Sequence, residues 1–192
     1  MSISQTELNQ SIYKDDIAYF VSGSDLTAYF PNCKIVKAAD LDNYKSIYEL
    51  LPNGLDFCFI LVESEQNKGH WQLLYRDNKI FHFFDSYGDL PTTILNFVPK
   101  YLNKLLGNDY KADMGHILKS INKDDTLLIN RHPFQTNGDD INTCGRWSIL
   151  RLSLALRENM SDQDFIKFIK QKNKETRYKY DELVCGYITI NK

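Results

Sequence analysis

Residues 69–85 have the sequence GHWQLLYRDNKIFHFFD, which contains the strongest signal for the architecture of the chain. Its two apolar halves, residues 71–75 and residues 80–84, are rich in aromatic side chains and are typical of β-strands. The polar residues between them include Asp77 and Asn78, which tolerate the backbone angles of a tight turn. We therefore predict an antiparallel hairpin with its turn at Asp77-Asn78.

The register of this hairpin predicts the first functional contact. With the turn at that position, Leu74 lies opposite Phe81 and His70 lies opposite Asp85. Directly opposed residues share one face of the sheet, with Cβ atoms about 4.5–5.5 Å apart. A carboxylate at that distance can hold an imidazole in one tautomer and stabilise its protonated form. Taken alone, such a pair is more often an ordinary ion pair at a strand end.

The other elements are predicted from hydrophobic periodicity and from cap and turn residues. Residues 57–62 form a continuous apolar run, which is typical of a strand covered on both faces. The helix that begins at Cys144 is apolar over most of its surface, which is typical of a central, covered helix. The remaining predictions are helices over 40–51, 92–106 and about 110–119, a strand over 126–129, a helix capped by Ser161, and a strand over 187–190.

These elements predict an α+β fold. A mixed, mainly antiparallel sheet would pack against the central helix, in a single domain that covers residues 1–192. A domain of this length can bury a core without disulfides or a structural metal.

Composition argues against several classes of function. The chain has 23 Lys and Arg against 25 Asp and Glu, so no broad basic field is available for a nucleic-acid backbone. No apolar run approaches membrane-spanning length. The spacing of histidines and cysteines argues against a zinc site and against a secreted disulfide framework. We therefore expect a reduced, intracellular protein that has no cofactor and no metal and is a monomer.

The second motif is Asn142-Thr143-Cys144-Gly145-Arg146-Trp147. Thr143 is a good N-cap residue, which would place Cys144 in the first turn of the central helix. A helix N-terminus carries partial positive charge and stabilises a thiolate, and a nearby protonated histidine adds to that effect. Gly145 would leave room beside the sulfur for a substrate backbone. The alternative is a buried structural cysteine, which is our interpretation of Cys33, Cys58 and Cys185.

Gln135 lies upstream of Cys144 in a loop rich in polar residues. A glutamine near a nucleophile can donate its amide N–H to a developing oxyanion, beside the backbone N–H of the nucleophile. From the sequence pattern alone it would be a solvated loop residue. The remaining histidines, His82, His116 and His132, have no acidic partner in the predicted register.

Four motifs stand in the order found in one family: Gly69-His70-Trp71, Phe84-Asp85-Ser86-Tyr87-Gly88, Gln135, and Thr143-Cys144-Gly145-Arg146-Trp147. The chain resembles the adenovirus-type maturation proteases and the SUMO- and ubiquitin-like-protein-specific cysteine proteases. It is most similar to the maturation proteases of virophages, Maverick-type elements and some large DNA viruses. Each motif alone is weak, but four in this order over residues 69–147 are fairly specific.

The resemblance implies a papain-like core with the order His, Asp, Gln, Cys along the chain. It implies that Cys144 is the nucleophile, His70 its base, Asp85 the residue that orients the base, and Gln135 part of the oxyanion hole. Trp71 would pack beside the histidine ring and, together with Gly145, would contact the substrate. The interval between Gln135 and Cys144 is longer than in the best-known members, so the loop has to bulge for the glutamine to reach.

The resemblance also implies a biological role. The chain would be a cysteine endopeptidase that cleaves viral capsid or core precursors after small residues such as Gly or Ala during virion maturation. It would act in the host cytoplasm or virus factory, or inside the virion, and a short peptide could activate it. Three alternatives stay open: an isopeptidase for SUMO- or ubiquitin-like proteins, an acetyltransferase of the same fold, and a non-catalytic binding relative.

Overall fold

The computed structural model describes residues 13–53, 56–66, 68–91 and 114–191. Within these ranges a five-stranded sheet has the order β1-β2-β3-β4-β5. Its strands are β1 (Lys34–Lys37), β2 (Phe57–Glu65), β3 (Lys68–Asp77), β4 (Ile80–Phe84) and β5 (Thr126–Ile129). The outer pairs β1–β2 and β4–β5 are parallel, and the inner pairs are antiparallel. The predicted α+β class with a mixed sheet is confirmed, but the sheet is less antiparallel than predicted, because the long connections before β2 and β5 permit parallel pairing.

The helices surround this sheet. They are α1 (Gly23–Tyr29), a 3₁₀ helix (Ala38–Asn43), α2 (Ile47–Leu50), α3 (Gly115–Lys119), α4 (Cys144–Glu158), α5 (Asp162–Thr176) and α6 (Tyr180–Tyr187). Residues 13–18 are also helical. The predicted helix that begins at Cys144 is confirmed as α4, and the predicted cap of the next helix is confirmed because Ser161 accepts the backbone N–H of Asp164 at 3.2 Å.

Two element predictions were wrong. The helix expected over residues 40–51 is split, because Tyr44 adopts an extended backbone and Ser46 caps a new short helix at the N–H of Glu49. The strand expected over 187–190 is absent, since α6 runs to Tyr187 and residues 188–190 are irregular. The helix predicted over 92–106, and residues 110–113 of the next one, lie outside the described residues.

The hairpin of β3 and β4 is present, but its register differs from the prediction by two residues. Leu74 pairs with Phe83 rather than with Phe81, and Asp77 pairs with Ile80. The turn therefore consists of Asn78 and Lys79, with Asn78 at a φ of 53°. Asparagine adopts this left-handed conformation more readily than most residues. A shift of two residues preserves the alternation of side chains between the faces.

Both faces of the sheet are buried, as the continuous apolar run over 57–62 predicted. Alternate β2 residues belong to two separate cores: Phe59 and Leu61 pack on the side of α4, and Cys58 and Ile60 pack on the other side. Full burial of one such large apolar side chain contributes about 1.5–3 kcal/mol. On the first side, Trp147 of α4 is completely buried, so the sheet and the first turns of α4 are held in one packed unit.

Candidate active site

His70 and Asp85 are in contact. The Nε2 atom of His70 lies 2.6 Å from Oδ2 of Asp85. They meet on the diagonal rather than directly across the strands, because the register is shifted by two residues. Gln72, which lies two residues along β3 on the same face, donates its Nε2–H to the same Oδ2 atom at 3.0 Å. Diagonal neighbours on one face are within reach of long side chains, so the contact tolerates the error in the predicted register.

Asp85 is an ionised carboxylate held by several donors. Its side chain is 0% exposed, and Oδ1 accepts the backbone N–H of Tyr87 at 2.8 Å. Burial alone would raise the pKa of this carboxyl. The charge of His70 and the hydrogen bonds from His70, Gln72 and Tyr87 outweigh burial and lower the pKa below its ordinary value. The carboxylate can therefore fix the orientation of the imidazole at neutral pH.

Gly69 explains why glycine precedes the histidine. A Cβ atom at this position would lie 2.0 Å from the carbonyl oxygen of Val62 on β2. The β2–β3 register shifts between Glu63 and Glu65, next to this close approach. Such irregularities change the direction in which side chains point near the end of a pair of strands. The glycine thus permits the strand geometry from which His70 projects.

Cys144 is the first residue of α4, as predicted. Its sulfur accepts the backbone N–H of Trp71 at 3.4 Å. Strand β3 therefore places two groups beside the thiol, this backbone N–H and the side chain of His70. The expectation that the Thr143 side chain caps the helix was wrong. Its hydroxyl donates instead to Asp181 at 2.5 Å, and it makes no capping hydrogen bond.

The imidazole of His70 lies between the carboxylate and the thiol. Nε2 is bound to Asp85, and Cys144 lies beside the ring in the same cleft. Burial alone would lower the pKa of His70, but the charge and hydrogen bond of Asp85, together with the contact with Cys144, raise it to about 10. A ring with this pKa is protonated at neutral pH, and a protonated imidazole stabilises a thiolate beside it.

One cleft brings the thiol and the histidine to the surface. His70, Cys144 and Gln135 all line a cavity of about 280 Å³. The side chain of His70 is 15% exposed and Cys144 is 6% exposed. Cys144 is therefore largely buried, but it lines the cleft. Phe20 and Ile141 also line this cleft.

Gln135 reaches the cleft despite the long interval before Cys144. Its Oε1 accepts the hydroxyl of Ser86 at 2.7 Å. Its Nε2 donates to the hydroxyl of Tyr87 at 3.1 Å and to the carbonyl oxygen of Ile141 at 2.9 Å. The amide is thus held in a defined orientation at the cleft wall.

Tyr87 and Gln72 are site residues that sequence reasoning missed. The ring of Tyr87 stacks on that of His70, with centroids 4.9 Å apart. Burial, and the nearby Cys144 and Asp85, raise the pKa of Tyr87, so its hydroxyl stays protonated. The available signal was position: Tyr87 follows Asp85 by two residues, and Gln72 follows His70 by two.

Trp71 and Gly145, the two expected substrate contacts, are placed differently. The indole of Trp71 is buried in the core and donates to the carbonyl oxygen of Val21 at 2.6 Å. Tyr87, rather than Trp71, provides the ring that stacks on the histidine. A Cβ atom on Gly145 would lie 2.5 Å from Cβ of Val21, so Val21 fills the space that was expected for a substrate backbone.

His82 has an acidic partner, although not one in the strand register. Its Nδ1 lies 3.0 Å from Oδ2 of Asp162, the first residue of α5. That partner comes from a distant helix and not from the hairpin, so the strand register did not reveal it. His116 lies 3.8 Å from Asp42 at a largely exposed position.

Comparison with known proteins adds a relative from a virus. The chain is 32% identical over 173 residues to the uncharacterized protein V9 of Sputnik virophage, and the match covers 88% of this chain and 94% of V9. The chain belongs to the V9 family of virophage proteins. No protein-family model and no solved structure matches this V9-family chain.

Two further features of the V9-family chain bear on its site. Among the described residues, no group of three or more His, Cys, Asp or Glu side chains could hold a metal ion. In the same parts of the chain, every helix is too short or too polar to cross a membrane.

Proposed function

We propose that this chain is a cysteine endopeptidase whose nucleophile is Cys144. The observation that carries the proposal is the position of His70, which is bound through Nε2 to a buried carboxylate and touches a thiol at a helix N-terminus within an open cleft. An activated thiol needs a base and a group that orients the base. Asp85 supplies the orientation, and the helix N-terminus favours the thiolate.

The reaction proceeds through a thioester. The Cys144 thiolate attacks the carbonyl carbon of the scissile peptide bond, and the carbonyl oxygen takes the negative charge. The protonated His70 gives its proton to the leaving amine as the C–N bond breaks. His70 then takes a proton from water, and the resulting hydroxide attacks the thioester. The carboxylic acid leaves, and the thiolate and the imidazolium are restored.

The oxyanion is assigned to the backbone N–H of Cys144 and the side-chain amide of Gln135. In the free protein that amide donates to the Tyr87 hydroxyl and to the Ile141 carbonyl. A substrate carbonyl would replace one of these acceptors, and the tyrosine hydroxyl is the one that can also donate a hydrogen bond. Because the amide is already held by Ser86, its reorganisation would be small.

The proposed substrates are capsid or core precursors, cut after small residues such as Gly or Ala inside the infected cell. The virophage relative makes a viral substrate reasonable. The resemblance to adenovirus-type proteases extends the proposal to a papain-like catalytic core and to possible activation by a short peptide. A small cleft of about 280 Å³, narrowed by Phe20 and Ile141, is suited to small side chains beside the thiol.

The test is co-expression with candidate virion proteins, followed by mass spectrometry of new chain termini. Wild-type protein should produce defined new termini at Gly or Ala, and Cys144→Ala should produce none, because the thiol that forms the thioester is removed. Cys33→Ala is the matched control, since it removes a partly exposed thiol away from the cleft and should leave cleavage intact. Equal processing by the Cys144→Ala protein would refute the assignment.

The isopeptidase alternative is separated by its substrate. A ubiquitin-like protein fused through its tail to a reporter is offered beside peptides that contain a Gly or Ala cleavage site. Release of the reporter with no cut in the peptides or virion proteins would replace the maturation role while keeping the chemistry.

A further inference from the structure

Asp181 links the two ends of the loop that carries the candidate catalytic groups. This aspartate lies in the first turn of α6, and it is 4% exposed. Its Oδ2 accepts the backbone N–H of Thr136 at 3.1 Å, and its Oδ1 accepts the hydroxyl of Thr143 at 2.5 Å. One buried carboxylate therefore binds both ends of the loop over residues 136–143.

The two contacts fall next to the two groups that the chemistry needs. Thr136 directly follows Gln135, and Thr143 directly precedes Cys144. On its other side, Gln135 is fixed by the backbone, because its N–H donates to the carbonyl oxygen of Ser86 at 2.9 Å. Asp181 is thus the element that ties the glutamine to the start of α4.

We propose that Asp181 is a positioning residue that holds the Gln135 amide and the Cys144 thiol in register across the loop; the inference rests on the proposed peptidase function. The substrate carbonyl must meet both groups at once, so their separation has to be set before substrate binds. Displacement of a reacting group by about 1 Å can cost on the order of a hundredfold in rate. Asp181 acts through these groups and does not contact the substrate.

Helix α6 is a firm base for this contact. Glu182 accepts the backbone N–H of Lys179 at 2.7 Å and caps the helix. Leu183 and Val184 are buried, and Val184 belongs to the same core as Trp147 of α4. The carboxylate therefore projects from an element that is packed against the helix that begins at Cys144.

The use of Thr143 favours a role in the site over a role in helix capping. An N-cap threonine ordinarily stabilises its own helix by accepting a first-turn N–H. Here its hydroxyl donates to Asp181, and the side chain makes no cap bond. A buried charge is costly unless it is fully hydrogen-bonded, and both of the bonds described here come from this loop. Thr143 thereby binds Asp181, which also binds the other end of the loop, instead of capping α4.

The test compares Thr143→Val, which removes the hydroxyl at constant shape, with Thr143→Ser, which keeps it. We expect Thr143→Val to lower kcat for a cleaved peptide on the order of tenfold to a hundredfold with little change in KM. Thr143→Ser should stay close to the wild-type rate. In a Gln135→Ala background, Thr143→Val should have a smaller effect, because the group it positions is already missing.

A second readout separates this proposal from the peptidase proposal. The rate at which iodoacetamide alkylates Cys144 requires no substrate, and it should fall in Thr143→Val but not in Thr143→Ser, with His70→Gln as the reference for a fully uncoupled thiol. If the wild type cleaves nothing, the peptidase function fails, and alkylation alone decides the role of Asp181.

Either of two results would overturn the positioning role. One is that Thr143→Val and Thr143→Ser have equal alkylation rates and equal kcat. The other is that Thr143→Val lowers kcat as much in the Gln135→Ala background as it does in the wild-type background. If Thr143→Val does not fold, Asp181→Ala takes its place, because alanine keeps neither of the two bonds. A folded Asp181→Ala protein with wild-type kcat and alkylation rate would also overturn it.

Discussion

The hairpin carries two histidines that are each bound to an aspartate, and only one of these pairs opens onto the candidate cleft. At one end, His70 is bound to Asp85 at 2.6 Å and stacks on the ring of Tyr87. This assembly meets the thiol of Cys144 at the start of α4 and lines the cavity. It combines a base, its orienting carboxylate and a nucleophile.

The second pair has the same kinds of residue in a different setting. His82 is bound to Asp162 at 3.0 Å and stacks on Tyr75, with ring centroids 4.3 Å apart. Here the third partner is Arg151, whose guanidinium donates to Asp162 at 2.6 Å and also to the hydroxyl of Tyr75. Burial opposes ionisation, but the hydrogen bond from His82 and the charge of Arg151 lower the pKa of Asp162 to about 2.

Helix α4 supplies the third partner of both histidine–aspartate pairs. Cys144 and Arg151 lie two turns apart on α4, about 10 Å along the helix axis, and thus on nearly the same face. A thiol beside the first pair makes reactive chemistry available, whereas a guanidinium beside the second satisfies the carboxylate and forms a structural ion network. A histidine–aspartate pair is therefore not in itself evidence of catalysis, because the third group determines what the pair can do.

The largest expected effect comes from removing each imidazole while keeping its hydrogen bond to the aspartate. His70→Gln retains a donor near the position of Nε2, and His82→Asn retains one near the position of Nδ1. We expect His70→Gln to lower kcat/KM on the order of 10³-fold, since general acid–base catalysis is lost. His82→Asn should leave turnover close to wild type in the folded protein. Peptide kinetics check both, and equal losses would break the comparison.

The next effect concerns the carboxylate and its pH dependence. Asp85→Asn should lower kcat/KM by about 10²-fold or more, because the imidazole loses the partner that orients it and stabilises its charge. The charge of Asp85 raises the pKa of His70, so its removal lowers that pKa. The alkaline limb of the pH–rate profile should therefore move to lower pH in Asp85→Asn. An unmoved limb in the variant would contradict the assignment of that limb to His70.

The same pKa shift predicts a stability effect. Because the pKa of His70 is raised from 6.5 to about 10 in the folded protein, its stabilising contribution is complete below about pH 6.5. It is lost as the pH rises towards 10. The free energy of unfolding of wild type and of His70→Gln should be measured by denaturant unfolding across this pH range. The difference between the two proteins should be largest below about pH 6.5 and should shrink as the pH rises towards 10. His82→Asn is the control for a histidine in the other pair.

The smallest expected effect on turnover comes from the second pair. Arg151→Met removes the guanidinium from Asp162 and should lower the free energy of unfolding by about 2 kcal/mol. Arg157→Met makes the same change at an exposed position of α4 and should have little effect on stability. Below the unfolding transition, both variants should cleave peptide at the wild-type rate. Loss of turnover in folded Arg151→Met would show that the two assemblies are coupled through α4.

Much of the fold could be predicted, because the signals are local. The apolar run over 57–62, the hairpin strands and the covered helix at Cys144 follow from side-chain periodicity. The contact between His70 and Asp85 survived a wrong register because the error was an even number of residues, which leaves both on one face. The split of the helix over 40–51 was missed because the extended backbone at Tyr44 is not encoded in the apolar stripe.

The residue types at the strand ends and at the start of α4 could be read from the chain, since these features depend on neighbouring residues. The partners that these residues meet are set by tertiary packing. Asp162 reaches His82 from a helix 80 residues away, and Asp181 reaches Thr143 from one 38 residues away. Such contacts depend on how helices pack on the sheet, and that packing is set by the two shared cores rather than by any local pattern.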